Sequence, residues 1–205
     1  IAKEFGSNAE ARAYLAERHV NFLDVNSPEF VIAIKDCVNE FQQSVKLNLA
    51  SEQMYIDWIE WIVSSNEESK FEEVQEIIQK SIDIYPQSPQ LWLKRINIVK
   101  SYEGQHQDES IDEIYKIALK HNPESVILWN SYISWIFTMW KNGELKDHEL
   151  ENTIMSSISR VASIPLSLQA NKGNNSEEVK DLVITRYLNW ADENGGLEKA
   201  RKVYK

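Results

Sequence analysis

The sequence predicts an all-α fold, a right-handed α-solenoid built of antiparallel helix hairpins. The first observation is a stripe of large residues at positions i, i+3 and i+6 that recurs along the chain. Tyr55, Trp92 and Trp129 each open such a stripe and follow one another at steps of 37 residues. This spacing places side chains on one face of a helix, and repeats of this length are typical of helical solenoids.

A second motif follows each stripe, an apolar or aromatic residue with a small one three positions later. Because two helices of a hairpin approach closely only where one side chain is short, this motif predicts the second helix of each unit. No convincing strand pattern occurs. The copies are Phe41 with Ser44, Ile78 with Ser81, Tyr115 with Ala118 and Ile154 with Ser157, and Tyr204 begins a fifth.

Capping residues and prolines predict where the helices begin and end. Ser and Asn before Pro provide an N-cap at a position where the missing N–H of Pro costs nothing. Such pairs are Ser27-Pro28, Ser88-Pro89 and Asn122-Pro123, with further start or stop signals at Ser51, Ser176, Ser69 with Glu72, and Gly195-Gly196. The predicted helices are 8–24, 29–49, 51–65, 69–84, 88–102, 109–121, 123–140, 147–163, 176–194 and 197–205.

These elements predict one solenoid over residues 1–205. Its repeat units are approximately 8–49, 51–84, 88–121, 123–163 and 176–205, with 163–176 as a flexible loop between repeats, because that segment is rich in Gly and Asn. A shorter polar loop is predicted over 102–108. Ile1 is not an initiator Met and Lys205 falls within a helical pattern, so we expect a fragment of a longer protein.

Charge and composition narrow the function classes. The chain has 22 Lys and Arg residues and 32 Asp and Glu residues, which gives a net charge of −10. Such a field repels phosphate backbones, so we expect RNA binding no tighter than roughly 10⁻⁴–10⁻⁶ M. The apolar stretches are too short for a membrane span. The single cysteine, Cys37, cannot form an intramolecular disulfide, which suits a reducing compartment.

The residue types of catalysis and metal binding occur without the spacing that such sites need. Cys37 falls on the second-helix face that meets a neighbouring hairpin, as a buried structural thiol would. The histidines show no ligand spacing, and the six glycines form no phosphate loop. We therefore expect no catalytic, cofactor-binding or metal-binding residues and no small-molecule ligand. The histidines are His19, His106, His121 and His148.

The paired motifs resemble the half-a-tetratricopeptide (HAT) repeat, which is similar to the tetratricopeptide repeat. Trp129, Tyr132 and Trp135 match its first helix, and the segment from Ala200 to Tyr204 matches the end of its second. The resemblance covers about four and a half repeats from Val31 onward. It implies membership of an RNA-processing assembly.

Within HAT proteins the chain most resembles the family of the U-three small nucleolar RNA-associated protein six. The segments 186–191, Arg-Tyr-Leu-Asn-Trp-Ala, and 194–205, with its Gly-Gly and Lys-Ala-Arg, carry that resemblance. Ser156-Ser157, where the repeat usually has a basic residue and Ala, and the long 163–176 loop depart from it.

The resemblance implies a non-enzymatic scaffold of the small-subunit processome, acting in early ribosomal RNA processing in the nucleolus. The implied partners are WD-repeat β-propeller proteins of the UtpB subcomplex, with RNA contact only inside the assembled particle and no membrane association. The alternatives are a HAT scaffold of splicing or of messenger RNA 3′-end formation, a direct RNA-binding module and, last, an enzyme.

The stripes separate expected core residues from expected partner-binding residues. Core positions are Tyr55, Trp58, Trp61, Trp92, Trp129, Tyr132, Trp135, Tyr187 and Trp190. The neighbouring face of each first helix carries one polar pair per repeat, in order Asp57 and Glu60, Lys94 and Asn97, Ser131 and Ser134, Arg186 and Asn189. We call these pairs the polar ladder. It runs from acidic to basic, so it would hold an extended peptide of opposite charge order in one direction, although solvated scaffold faces look the same.

Two further features have open interpretations. Trp140 lies off the stripe, and it is either a core residue or an exposed anchor. The basic cluster near the C-terminal end is either a solvated helix face or an RNA contact inside the particle; it consists of Lys199, Arg201, Lys202 and Lys205.

Overall fold

The predicted all-α fold is confirmed in the part of the chain that the structure describes. The structure is a computed structural model that describes residues 28–46, 50–64, 71–101, 110–163 and 175–194. These residues form eight helices and no strand. The helices are α1 (Pro28–Lys46), α2 (Glu52–Ser64), α3 (Phe71–Ile84), α4 (Pro89–Ser101), α5 (Ile111–His121), α6 (Val126–Lys141), α7 (Asp147–Ala162) and α8 (Asn175–Asn194).

Several sequence predictions lie outside the described residues. They are the helices 8–24 and 197–205, the loop 102–108, most of the loop 163–176, the caps at Ser27, Ser69 and Gly195-Gly196, and the basic cluster.

The chain divides into two compact units, Ile1–Tyr85 and Pro86–Lys205. In the first unit α2 and α3 pack together as a hairpin. Phe41 of α1 stacks on Trp58 of α2 with ring centroids 5.3 Å apart. The Lys80 ammonium of α3 donates to the Val45 carbonyl of α1 at 3.0 Å. The three helices are therefore joined by both aromatic and polar contacts.

In the second unit each helix packs against its neighbours in sequence, and α6 also packs against both α4 and α8. The first helices of successive hairpins, α4, α6 and α8, therefore lie side by side, while α5 and α7 pack against them. The prediction of one continuous solenoid with its repeat boundaries stays a prediction.

The helix starts show which capping predictions hold. The Ser51 hydroxyl accepts from the Met54 backbone N–H at 3.3 Å, and the Ser88 hydroxyl accepts from that of Leu91 at 3.3 Å. Both serines therefore cap the helices that follow them, as the sequence predicts.

Two capping predictions are wrong. Asn122 does not open α6, because it ends α5 and the chain turns through Pro123 before α6 begins at Val126. Ser125 caps α6 instead, accepting from the Leu128 backbone N–H at 3.4 Å. Ser176 lies inside α8, which begins one residue earlier, at Asn175.

The core follows the two sequence motifs. Seven of the nine stripe residues are buried, and Trp61 and Trp135 are half-buried. The small residues of the second motif are also buried, so they lie at close helix contacts. These small residues are Ser44, Ser81, Ala118 and Ser157.

Candidate interaction surface

The turns before α4 and α6 each contain the same kind of hydrogen bond. The indole N–H of Trp92 donates to the Pro86 carbonyl at 2.8 Å, and that of Trp129 donates to the Pro123 carbonyl at 2.8 Å. In both copies the acceptor lies six residues before the tryptophan. The stripe residue therefore fixes its helix to the preceding turn as well as filling the core, which gives successive first helices the same starting geometry.

Asn122 connects one of these turns to the other. It is buried, and its side-chain amide donates to the carbonyl oxygens of Pro86 and Ala118, both at 3.1 Å. The Pro86 carbonyl thus accepts from both Trp92 and Asn122. This contact ties the end of α5 to the turn before α4 and explains why Asn122 is not available as an N-cap.

A cluster of aromatic side chains joins α5 to α6. The Tyr115 ring centroid lies 5.1 Å from that of Tyr132 and 5.6 Å from that of Trp135. The Tyr115 and Ser131 hydroxyls lie 2.8 Å apart, and the Lys100 ammonium of α4 donates to the Tyr115 hydroxyl at 3.1 Å. One buried tyrosine therefore joins three helices.

Tyr132 hydrogen-bonds to a carboxylate of α5, and burial together with this contact shifts its pKa. Its hydroxyl donates to the Asp112 carboxylate at 2.9 Å. Burial and the charge of Asp112, which also accepts this bond, raise the pKa of the Tyr132 hydroxyl above its ordinary value, while Arg160 opposes the shift. The neutral phenol is thus strongly favoured in the folded chain.

Tyr132→Phe should make the free energy of unfolding fall less steeply with pH in the alkaline range. Because the folded-state pKa is raised, the stabilisation is fully present below the unfolded-state pKa of about 10 and is lost as the pH rises towards the folded-state value. Above about pH 10 the wild type should lose about 1.4 kcal/mol more per pH unit than Tyr132→Phe. The comparison isolates this one group, because the two proteins differ only at position 132.

Urea unfolding between about pH 8 and 11 measures this difference. Equal slopes for the two proteins above pH 10 would show that Tyr132 ionises as freely in the folded as in the unfolded chain.

The polar ladder is not uniform. In the first unit, on α2, Glu60 is exposed, whereas Asp57 is half-buried and accepts from the Gln53 amide at 2.7 Å. In the second unit Asn97 and Ser134 are exposed, and Lys94 is half-buried.

Ser131 differs most from the expected arrangement of the ladder. It is half-buried, and its hydroxyl lies within the Tyr115 cluster rather than on an open face. Its role in the structure is therefore to join α5 to α6.

The last pair of the ladder faces solvent on α8. Arg186 and Asn189 are both exposed. The Arg186 guanidinium donates a long hydrogen bond, 3.5 Å, to the side-chain oxygen of Asn130 on α6. These two residues thus lie where α6 and α8 meet, beside an open groove.

Trp140 is half-buried at the junction of three helices. Its indole N–H donates to the Asp147 carboxylate at 2.7 Å, and its ring meets Trp190 edge to face at 6.2 Å. These contacts tie the end of α6 to the start of α7 and to α8. They assign Trp140 a structural position.

The cysteine and histidine side chains considered for catalysis or metal binding are not grouped into a site within the described residues. Cys37 is buried, and the His121 ring stacks on that of Trp92 with the ring centroids 5.9 Å apart. Among the described residues no group of three His, Cys, Asp or Glu side chains could hold a metal ion. No helix within the described ranges has the length and apolar character needed to cross a membrane.

Comparison with protein families identifies the repeat. A family model described as the PRP39 N-terminal HAT repeat matches residues 40–205. This range contains α2 to α8 and the end of α1. No curated protein matches the chain at a significant level.

Proposed function

Because the chain belongs to the family of PRP39-type N-terminal HAT repeats, we propose that it is a non-enzymatic scaffold that holds proteins together in a nuclear RNA-processing particle. The match over residues 40–205 is the observation that carries this proposal. HAT repeats are protein-interaction repeats, and a family of this type is generally non-enzymatic.

Physical features of the chain support protein rather than RNA as the direct ligand. The aromatic residues that could stack on bases are largely used in the core, since Tyr55, Trp129 and Tyr187 are buried. The net charge of −10 opposes a phosphate backbone. Open polar faces on the first helices remain for contacts with other subunits.

Among such particles we propose the small-subunit processome, with WD-repeat β-propeller proteins of UtpB as partners and the nucleolus as the location. The segments 186–191 and 194–205, which resemble the U-three-associated family, support this choice. A splicing or messenger RNA 3′-end particle is equally compatible with the family match and is the second candidate.

Sequencing the RNA that co-purifies with the tagged full-length protein from nuclear extract separates these candidates. The processome predicts enrichment of a small nucleolar RNA and ribosomal RNA precursor, and nucleolar fluorescence of the tagged protein. Enrichment of spliceosomal small nuclear RNA would instead place the chain in splicing. Recovery of neither particle RNA nor particle proteins would contradict the scaffold proposal itself.

A further inference from the structure

An open groove runs along α8 where this helix meets the start of α6. Its first part, about 640 Å³, is lined by the turns that precede α4 and α6, by Ile127 and by Glu178. Its second part, about 400 Å³, continues along α8 past Leu182 to Arg186 and shares Val126 and Glu178 with the first. All of these residues belong to the second unit.

The charge along the groove changes sign from one end to the other. Glu124 and Glu178 line the first part and Asp181 the second, whereas Arg186 lies beyond them along α8. Glu178 lies in the first turn of α8, where the helix dipole offsets part of its charge, but Asp181 lies beyond that turn. A ligand therefore meets negative charge first and positive charge at the far end.

Apolar surface lies between and beside these charges. Ile127 is 50% exposed and lines the first part of the groove. Val126 and Leu182 are half-buried and line the middle of the groove. A ligand with an apolar side chain at its centre would cover this surface.

The spacing on α8 matches an extended peptide. Glu178, Leu182 and Arg186 are four residues apart, so they lie on one face at intervals of about 6 Å. Alternate side chains of an extended segment also share one face and are about 6.6 Å apart. Three side chains of such a segment, at positions one, three and five, can therefore meet these three residues in turn.

We propose that this groove binds an extended segment of a partner protein whose alternate side chains are basic, apolar and acidic in that order. The basic side chain pairs with Glu178 and Asp181. The apolar side chain covers Leu182, and the carboxylate pairs with Arg186. The inference rests on the proposed scaffold function and names the kind of partner segment that one of its surfaces takes.

A labelled peptide of sequence Gly-Lys-Ser-Leu-Ser-Glu-Gly tests the groove, with Gly-Glu-Ser-Leu-Ser-Glu-Gly as the control, which keeps the length and the Leu but has no basic side chain in either chain direction. The fluorescence anisotropy of the labelled peptide, titrated with the full-length protein, should show saturable binding. The affinity for the first peptide should be at least fivefold higher than that for the control. Equal affinities, or no binding below millimolar protein, would overturn the proposal.

Paired charge reversals on α8 locate the binding. Glu178→Lys with Asp181→Lys should weaken the first peptide about tenfold and make the protein prefer the control peptide, because the groove then carries only positive charge at positions 178, 181 and 186. Asp192→Lys with Glu193→Lys is the matched control, because it makes the same charge change on the same helix at exposed positions outside the groove lining. This control should stay within twofold of the wild type, and circular dichroism checks that both variants fold.

Other occupants give different results. If the groove pairs two copies of this chain, sedimentation will show a dimer that the Glu178 and Asp181 reversals abolish, and this would overturn the proposal. If peptide binding fails while particle proteins still co-purify with the full-length chain, the groove assignment is wrong and the scaffold function stands. If neither particle RNA nor particle proteins co-purify with the wild-type protein, the proposed scaffold function is wrong.

Discussion

Trp129→Ala should lower the free energy of unfolding by about 3–5 kcal/mol, as other truncations of large buried aromatic residues do. The Trp129 side chain is 1% exposed. Its indole N–H donates to the Pro123 carbonyl at 2.8 Å, and the Arg160 guanidinium lies 5.8 Å from its ring centroid. The substitution leaves a cavity, an acceptor without its donor and a cation without its aromatic partner.

Two variants separate these contributions. Trp129→Phe keeps most of the apolar volume but removes the donor to Pro123, so we expect a loss of about 1–2 kcal/mol. Ile127→Ala on the same helix removes a large apolar side chain that is 50% exposed, and it should change the free energy by less than about 1 kcal/mol. Urea unfolding followed by far-ultraviolet circular dichroism measures all three. Similar losses for Trp129→Ala and Ile127→Ala would contradict the stripe as core.

Tyr115→Ala should have an effect of the same size, about 3–5 kcal/mol, for a different reason. Tyr115 is 0% exposed, and its ring packs against the rings of both Tyr132 and Trp135. Its removal opens a cavity at the α5–α6 contact and also deprives Ser131 and Lys100 of a hydroxyl partner.

A double-mutant cycle isolates the polar part of this contact. Tyr115→Phe alone should cost about 1–2 kcal/mol, because the ring stays but the buried hydroxyl bonds are lost. Ser131→Ala should cost less in the Tyr115→Phe background than in the wild type, with a coupling of about 0.5–1.5 kcal/mol. Strict additivity of the two changes would show that the 2.8 Å contact contributes nothing.

The positions of the core aromatics could be predicted from the sequence, because the stripe at every third residue and its repetition after 37 residues can both be read from the sequence alone. The sequence analysis does not predict the hydrogen bonds that Trp92 and Trp129 make to the turns before α4 and α6. Residues 86–92 and 123–129 share the pattern Pro-x-Ser-x-x-Leu-Trp, and this repeat is the signal that could have identified the turn. The Asn-Pro pair also fits an N-cap and therefore predicts the wrong helix for Asn122, whose side-chain amide donates to the carbonyl oxygens of Pro86 and Ala118.

The interaction surface could be predicted only in part. Periodicity correctly places Arg186 and Asn189 on an exposed face of α8, but it places Ser131 on the same kind of face although this residue is half-buried. The contact with Tyr115 of α5, whose hydroxyl lies 2.8 Å from that of Ser131, accounts for this, and no spacing within one helix encodes a contact with another helix. The groove combines residues of the turn before α6 with residues of α8, more than 50 positions later, so it depends on packing between repeats.

The central claim is that protein contacts, not RNA, hold this chain in its particle, and ribonuclease treatment of the purified particle tests it most directly. The tagged full-length protein is purified from nuclear extract, half of the sample is digested with ribonuclease, and the retained subunits are quantified by mass spectrometry. The scaffold predicts that its direct protein partners stay bound after digestion. Loss of every partner together with the RNA, and RNA binding by the isolated chain tighter than roughly 10⁻⁶ M, would contradict it.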